Sequence, residues 1–226
     1  VRFLYHPLAG EESVTVEGEA YRHLFRSRRH RKSERVTLSN LRDRMLYEYE
    51  IALVGRRDAR LSLIAARQDS ATYESGLHLA WCLIDPKAVE KSLPMLNEMG
   101  VSRISFLTCA RCQRGFEPDF KRLERIVINS CQQCGRNTLL QLEDSMDTAT
   151  FLRMFPDTAV LDFNAQPLVC QKPPKRVLIG PEGGFDERER ALFKKVGIRR
   201  FSLATPSVLR SETAACAVAA LGVFGR

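Results

Sequence analysis

The chain has 226 residues, a hydrophobic fraction of 44% and a net charge of +8 from 35 basic and 27 acidic side chains. That length holds one or two domains, and no apolar run approaches the ~18 residues that a bilayer-crossing helix needs. The first residues lack the apolar stretch of a secretory signal, so a cytoplasmic protein with reduced thiols is expected, not a secreted or membrane protein.

Positions 1–68 read as short alternating segments, with strands at 13–18, 35–40, 45–51 and 60–64, a hairpin loop at 40–43 and a short helix at 19–29. This describes a small β-rich domain. Within it Arg22, Arg26, Arg28, Arg29, Arg31, Lys32 and Arg35 crowd one stretch with His23 and His30, opposed only by Glu34. Such a density of like charge repels itself unless phosphates neutralise it, so it points to nucleic acid. A polar linker at 69–76 follows, and then the pattern changes to alternating strands and helices. Strands are expected at 77–84, 101–107, 158–163, 176–179 and 201–203, and helices at 86–99, 120–134, 187–195 and 212–224. Alternation of this kind specifies an α/β domain with a parallel sheet covered on both faces.

Two stretches near the end carry chemistry. Gly180-Pro181-Glu182-Gly183-Gly184-Phe185 follows the strand at 176–179, and Leu209-Arg210-Ser211-Glu212-Thr213-Ala214 opens the last helix. Glycines at the carboxyl end of a strand let the backbone approach a ligand, and ligands of open α/β sheets bind at that edge. The loop lacks the Gly-Lys-Ser/Thr of a phosphate loop, the spacing of a dinucleotide fingerprint and the serine of a nucleophile elbow. A backbone-lined slot for a flat, neutral-to-cationic group remains. The cysteines offer a competing pattern: Cys109-Ala110-Arg111-Cys112 and Cys131-Gln132-Gln133-Cys134 have four-cysteine zinc spacing. Against it, 131–134 continues a helical pattern where a zinc knuckle needs a turn. Cys82, Cys170 and Cys216 read as small core residues.

The paired motifs resemble the RsmE family of SPOUT-class RNA methyltransferases. Further similarities lie at Glu98-Met99-Gly100-Val101, at Gln133-Cys134-Gly135-Arg136, at Arg111, and in the spacing of His23 and Arg29. The chain departs from the family at Ala204-Thr205-Pro206-Ser207, where a glycine and an arginine are missing, and at Met95, where lysine is common. The resemblance implies a SPOUT-type parallel sheet with a C-terminal trefoil knot over 77–226, a PUA-like RNA-binding β-barrel over 1–68, a homodimer, and an S-adenosylmethionine cofactor. It implies methylation of N3 of one uridine in small-subunit ribosomal RNA, with assembled subunits as the expected partner.

The candidate site residues follow from the same resemblance and, for the basic segment, from its charge density. Leu161, Phe163, Ile179, Gly180, Pro181, Glu182, Gly183, Gly184, Leu203, Leu209 and Thr213 are the cofactor candidates. Arg22, Arg26, Arg28, Arg29, Arg31, Lys32 and Arg111 are the RNA candidates. Loss of the N3 proton places negative charge on the flanking carbonyl oxygens, which a guanidinium stabilises. Arg210 or Arg136 is the candidate for that role. Glu212 is a candidate base or, in the first turn of its helix, a partner of the helix dipole. No metal is expected. The alternatives are a SPOUT enzyme with another RNA target and a non-catalytic zinc-ribbon RNA-binding module.

Overall fold

The computed structural model describes residues 2–27, 30–70, 73–113, 115, 117–168 and 174–224. They form two compact units, one of residues 1–72 with 128–139 and the other of 73–127 with 140–226. Arg28, Arg29 and Cys170 lie outside the described residues.

The first unit holds a five-stranded sheet from β1 (Leu4–Tyr5), β2 (Ser13–Glu17), β3 (Arg35–Ser39), β4 (Met45–Val54) and β5 (Asp58–Gln68), in the order β1-β3-β4-β5-β2. Alternation drives it: in β2, Val14 and Val16 are buried while Ser13, Thr15 and Glu17 are exposed. Val14, Val16, Leu38, Tyr49, Ile51 and Leu61 close one apolar core. The expected helix at 19–29 is instead one α-helical turn, α1 (Gly18–Tyr21), running into a π-helical stretch, Arg22–Ser27. The wider winding keeps Tyr21, Leu24 and Phe25 on the core and leaves Arg22 and Arg26 in solvent. The segment 128–139 is tied to this unit by side-chain amides. Gln132 accepts from the Tyr5 backbone at 2.8 Å, and Asn137 donates to the Met45 carbonyl at 3.1 Å and accepts from Ser39.

The second unit is a six-stranded sheet, parallel throughout. Its strands are β6 (His78–Cys82), β7 (Arg103–Thr108), β8 (Gln141–Asp147), β9 (Ala159–Leu161), β10 (Arg176–Ile179) and β11 (Arg200–Phe201), in the order β11-β9-β10-β6-β7-β8. The chain therefore runs outward from β6 to β8, returns to β9, and then places β10 between β9 and β6. β6 is buried along its whole length, as expected for a strand covered on both faces. Helix α2 (Pro86–Glu98) packs on α6 (Ser211–Phe224) on one face. Ala80, Cys82, Leu107, Leu178 and Val160 meet Phe151, Phe185 and Phe193 on the other. Helix α3 (Phe120–Cys134) and α5 (Glu187–Lys195) stand where the sequence places them. Asp186 and Glu189 form a reciprocal capping box at the start of α5. Two elements of this unit were not anticipated, β8 and the short α4 (Thr148–Met154) that Asp147 caps.

The sheet contains one buried histidine. His78 Nδ1 accepts from Arg176 Nε at 3.1 Å, so Nε2 carries the proton and donates to Ser105 Oγ at 2.7 Å. Phe151 and Phe155 stand edge-on to the ring. Burial first, and the Arg176 guanidinium second, push His78 down to about 4. The unfolded chain takes up this proton below about pH 6.5, whereas the folded chain does not until about 4. The stability contribution is thus complete above about pH 6.5 and is lost as pH falls toward 4, by up to roughly 3 kcal/mol. Denaturant midpoints measured from neutral pH down to about pH 5 should fall in the native chain and fall less in His78→Gln. Equal slopes would show that His78 is not the group responsible.

Candidate functional site

The loops leaving the carboxyl ends of β9, β10 and β11 converge on one cavity of about 690 Å³, counting its open mouth. Leu161, Asp162 and Phe163 come from the first loop, and Ile179, Gly180, Pro181, Glu182, Gly184 and Phe185 from the second. The third loop gives Leu203, Thr205, Val208 and Leu209, and the first turns of α6 supply Ser211 and Ala214. This is where the strand order reverses, the usual place for a ligand in an open α/β sheet.

Glycine is needed here for two different reasons. Gly184 has φ +63°, a backbone shape that side chains disfavour. At Gly180 the restriction is space: a Cβ would lie 3.1 Å from the Phe185 ring and 3.4 Å from Gly184 Cα. Gly183 differs from the expectation. It is not among the residues bordering the cavity, and its carbonyl instead accepts Arg111 Nη1 at 2.6 Å. Arg111, expected on RNA, thereby braces the loop. Thr213 is exposed on the first turn of α6 and does not border the cavity either.

Two buried polar residues that the sequence reading missed hold these loops. Ser211 Oγ donates to the Gly180 carbonyl at 2.6 Å and accepts from Trp81 Nε1 at 2.9 Å. One hydroxyl thus ties the central strand, the glycine loop and the start of α6. Asp162, whose side chain is 2% exposed, accepts from Arg190 Nε and Arg200 Nη1, both at 3.4 Å. Ser211→Ala strands the buried Trp81 N–H, which costs about 1–3 kcal/mol. Urea denaturation should register that loss, and a change below about 0.5 kcal/mol would mean that the hydrogen bond is replaced.

The proposed catalytic groups are distributed. Arg210 follows Leu209 at the cavity lip, with a side chain that is 83% exposed and 4.0 Å from Glu212. Glu212 lies in the first turn of α6. Arg136 belongs to the first unit, is buried, and donates from Nε to Thr138 Oγ1 at 3.1 Å. Of the basic segment, Arg22, Arg26, Arg31 and Lys32 are all exposed.

The cysteines divide differently from the four-cysteine pattern. Cys131 and Cys134 lie in the last turn of α3, where Cys131 Sγ donates to the Thr138 carbonyl and Cys134 Sγ points back to the Cys131 carbonyl. A helix cannot supply the turn of a knuckle, so the zinc-ribbon pairing loses its second half. The sulfurs that gather among the described residues are Cys82, Cys109 and Cys112. The hydrogen bond from Cys109 holds Cys112 far below the ordinary thiol range, and the same contact raises Cys109.

Residues 72–222 match the model of the RNA methyltransferase domain family. Over 225 residues the chain is 42% identical to ribosomal RNA small subunit methyltransferase E of Helicobacter pylori, covering 98% of this chain and 99% of that protein. The chain belongs to the ribosomal RNA small subunit methyltransferase E family. Solved structures share this fold. A methyltransferase E from Neisseria gonorrhoeae bound to S-adenosyl methionine has a TM-score of 0.81 at 24% identity, covering 97% of this chain and 95% of that one. A Legionella pneumophila protein solved in complex with the same cofactor has a TM-score of 0.80 at 26% identity, covering 98% and 96%. Methyltransferase E membership accounts for the α/β sheet and for the small β-rich unit before it. No helix of the described residues is long and apolar enough to cross a membrane.

Proposed function

We propose that this chain methylates N3 of one uridine in small-subunit ribosomal RNA in the cytoplasm, using S-adenosylmethionine and acting as a homodimer. The observation that carries the reading is the convergence of three carboxyl-end loops on one cavity where the strand order reverses. The cavity suits the cofactor. Leu161, Ile179, Leu203 and Leu209 offer apolar walls for a flat adenosyl group, Gly180 and Gly184 bring backbone close, and Glu182 stands on the rim as a counter-charge for a cation. When bound, the cofactor supplies a methyl group on a positively charged sulfur.

The chain supplies position and charge. Backbone groups of the three loops hold the adenosyl part. A guanidinium, Arg210 for preference, would face the uracil carbonyl oxygens as the N3 proton passes to water and N3 takes up the methyl group in its place. The target base must be unstacked, because N3 is covered in a Watson–Crick pair. The exposed cations of the π-helical stretch hold the surrounding phosphates. The trefoil knot belongs to the same reading: insertion of β10 between β9 and β6 after the return from the far edge is the strand order that such a thread leaves. The domains are read as 1–68 for RNA and 77–226 for catalysis.

Labelled S-adenosylmethionine incubated with small ribosomal subunits that lack base modifications tests the reading. One labelled N3-methyluridine is the expected product. Transfer to a ribose hydroxyl, or only to transfer RNA, would replace the substrate. Light scattering should give the mass of two chains, and a monomer that turns over would remove the dimer.

A further inference from the structure

Cys82 ends β6, while Cys109 and Cys112 occupy the turn that leaves β7. β6 and β7 are parallel neighbours in register, with Cys82 opposite Leu107, so their carboxyl ends bring the three side chains together. The three sulfurs all lie within 4.8 Å of one another, and those of Cys109 and Cys112 are 3.4 Å apart. The turn is shaped around them. The Cys112 N–H donates to the Cys109 carbonyl at 3.2 Å, and the Cys109 N–H donates to Cys112 Sγ at 3.3 Å. Cys112 Sγ in turn donates to the Leu107 carbonyl at 3.7 Å, so the turn and the end of β7 hold this sulfur in place.

From this geometry we infer that Cys82, Cys109 and Cys112 form a three-thiolate site for Zn²⁺. Sulfurs about 2.3 Å from a tetrahedral zinc are separated by about 3.8 Å, a spacing that small side-chain rotations reach from the positions observed. The set contains only sulfur, the donor that selects soft ions over magnesium or calcium. Its surroundings are apolar: Leu107, Phe151, Phe185 and Phe193 pack in the same cluster. Cys109 also borders a surface cavity with Thr108, Asp147 and Glu189, by which water would reach a fourth position on the ion.

The site has a consequence for its neighbourhood. The same turn carries Arg111, which holds the Gly183 carbonyl, and the Ala110 N–H, which donates to Glu189 Oε1 at 3.0 Å. An ion on the sulfurs would fix the turn that supports both the glycine loop and the capping box of α5. This step rests on the reading of that loop as part of the cofactor pocket; the metal site itself does not.

The test uses the full chain, reduced, stripped with chelator and titrated with Co²⁺ as a coloured probe and then with Zn²⁺. One equivalent of Co²⁺ per chain with a sulfur-to-metal charge-transfer band, displaced by Zn²⁺, is expected. Cys109→Ser and Cys112→Ala should each abolish the band and remove any Zn²⁺-dependent rise in Tm, while Cys134→Ser should leave both intact. Circular dichroism confirms that the variants are folded, and having two half-buried positions guards against the failure of either. Absence of stoichiometric binding by the reduced chain overturns the site, as does binding that survives in Cys109→Ser. Loss of binding in Cys134→Ser, or a Cys109–Cys112 disulfide in a chain that takes no metal when reduced, overturns it as well. Methyl transfer enters none of these readouts, so failure of the proposed activity and failure of this site are distinguishable.

Discussion

Arg210→Ala is expected to lower kcat by about 10²–10³-fold, the range for removing one preorganised donor from a developing oxyanion. Affinity for S-adenosylmethionine and the denaturation midpoint should change little. The structure separates these effects. Leu209 borders the cavity and Ser211 is fixed by Trp81 and Gly180, so the backbone on either side of Arg210 is anchored. The Arg210 side chain itself is 83% exposed, and it pairs with Glu212 at 4.0 Å. An exposed pair of that kind contributes about 0–1 kcal/mol, so deletion costs the fold little. Arg210→Lys keeps the charge but loses the planar fork, and should recover only part of the rate. Glu212→Gln distinguishes the two roles open to that carboxylate. In the first turn of α6 it stabilises the helix by about 0.3–1 kcal/mol, which its amide variant should lose with most turnover retained. Normal turnover by Arg210→Ala would remove Arg210 from the chemistry. Single-turnover rates and equilibrium binding of the cofactor give the necessary split.

The parts of this fold that were legible in the sequence are those where one local rule dominates. β6, β10 and α3 are aliphatic or strongly amphipathic stretches, and Gly100 and Gly135, at φ +77° and +82°, stop α2 and α3 where a left-handed residue is needed. β8 escaped because it is an edge strand with three acidic residues among its seven and none that is β-branched. Only its pairing with β7 makes it a strand. The π-helical stretch escaped because its period is set by which residues the core accepts, Leu24 and Phe25, and not by intrinsic preference. At the site, the lining loops could be found from strand ends and glycines. Their supports could not. Ser211 is joined to Trp81 across 130 positions, and Asp162 to Arg190 and Arg200 across 28 and 38. Such pairs carry no local pattern. The same limit explains Gly183 and Arg111: each was read from its own motif, and the bond between them, 72 positions apart, redirects both.

Replacing Arg22, Arg26, Arg31 and Lys32 together with glutamine is expected to weaken RNA binding by roughly 10²-fold near physiological salt. The slope of log affinity against log salt should become shallower by about 3, since each phosphate contact contributes about 0.7–0.9. The four side chains are exposed, whereas the apolar residues of the same stretch, Tyr21, Leu24 and Phe25, face the core. The substitutions therefore leave packing untouched and reduce like-charge repulsion, so the variant should be at least as stable as the native chain. These residues contact phosphates in this reading, and phosphate contacts position without specifying sequence. The loss should accordingly be nearly the same for target and non-target RNA. Methyl transfer should show a raised KM with kcat retained at saturating substrate, the opposite split from Arg210→Ala. A variant with native affinity and an unchanged salt slope would make the segment a solvated face and move the RNA contact elsewhere. A lowered kcat at saturation would instead show that the segment orients the base as well as holding the strand.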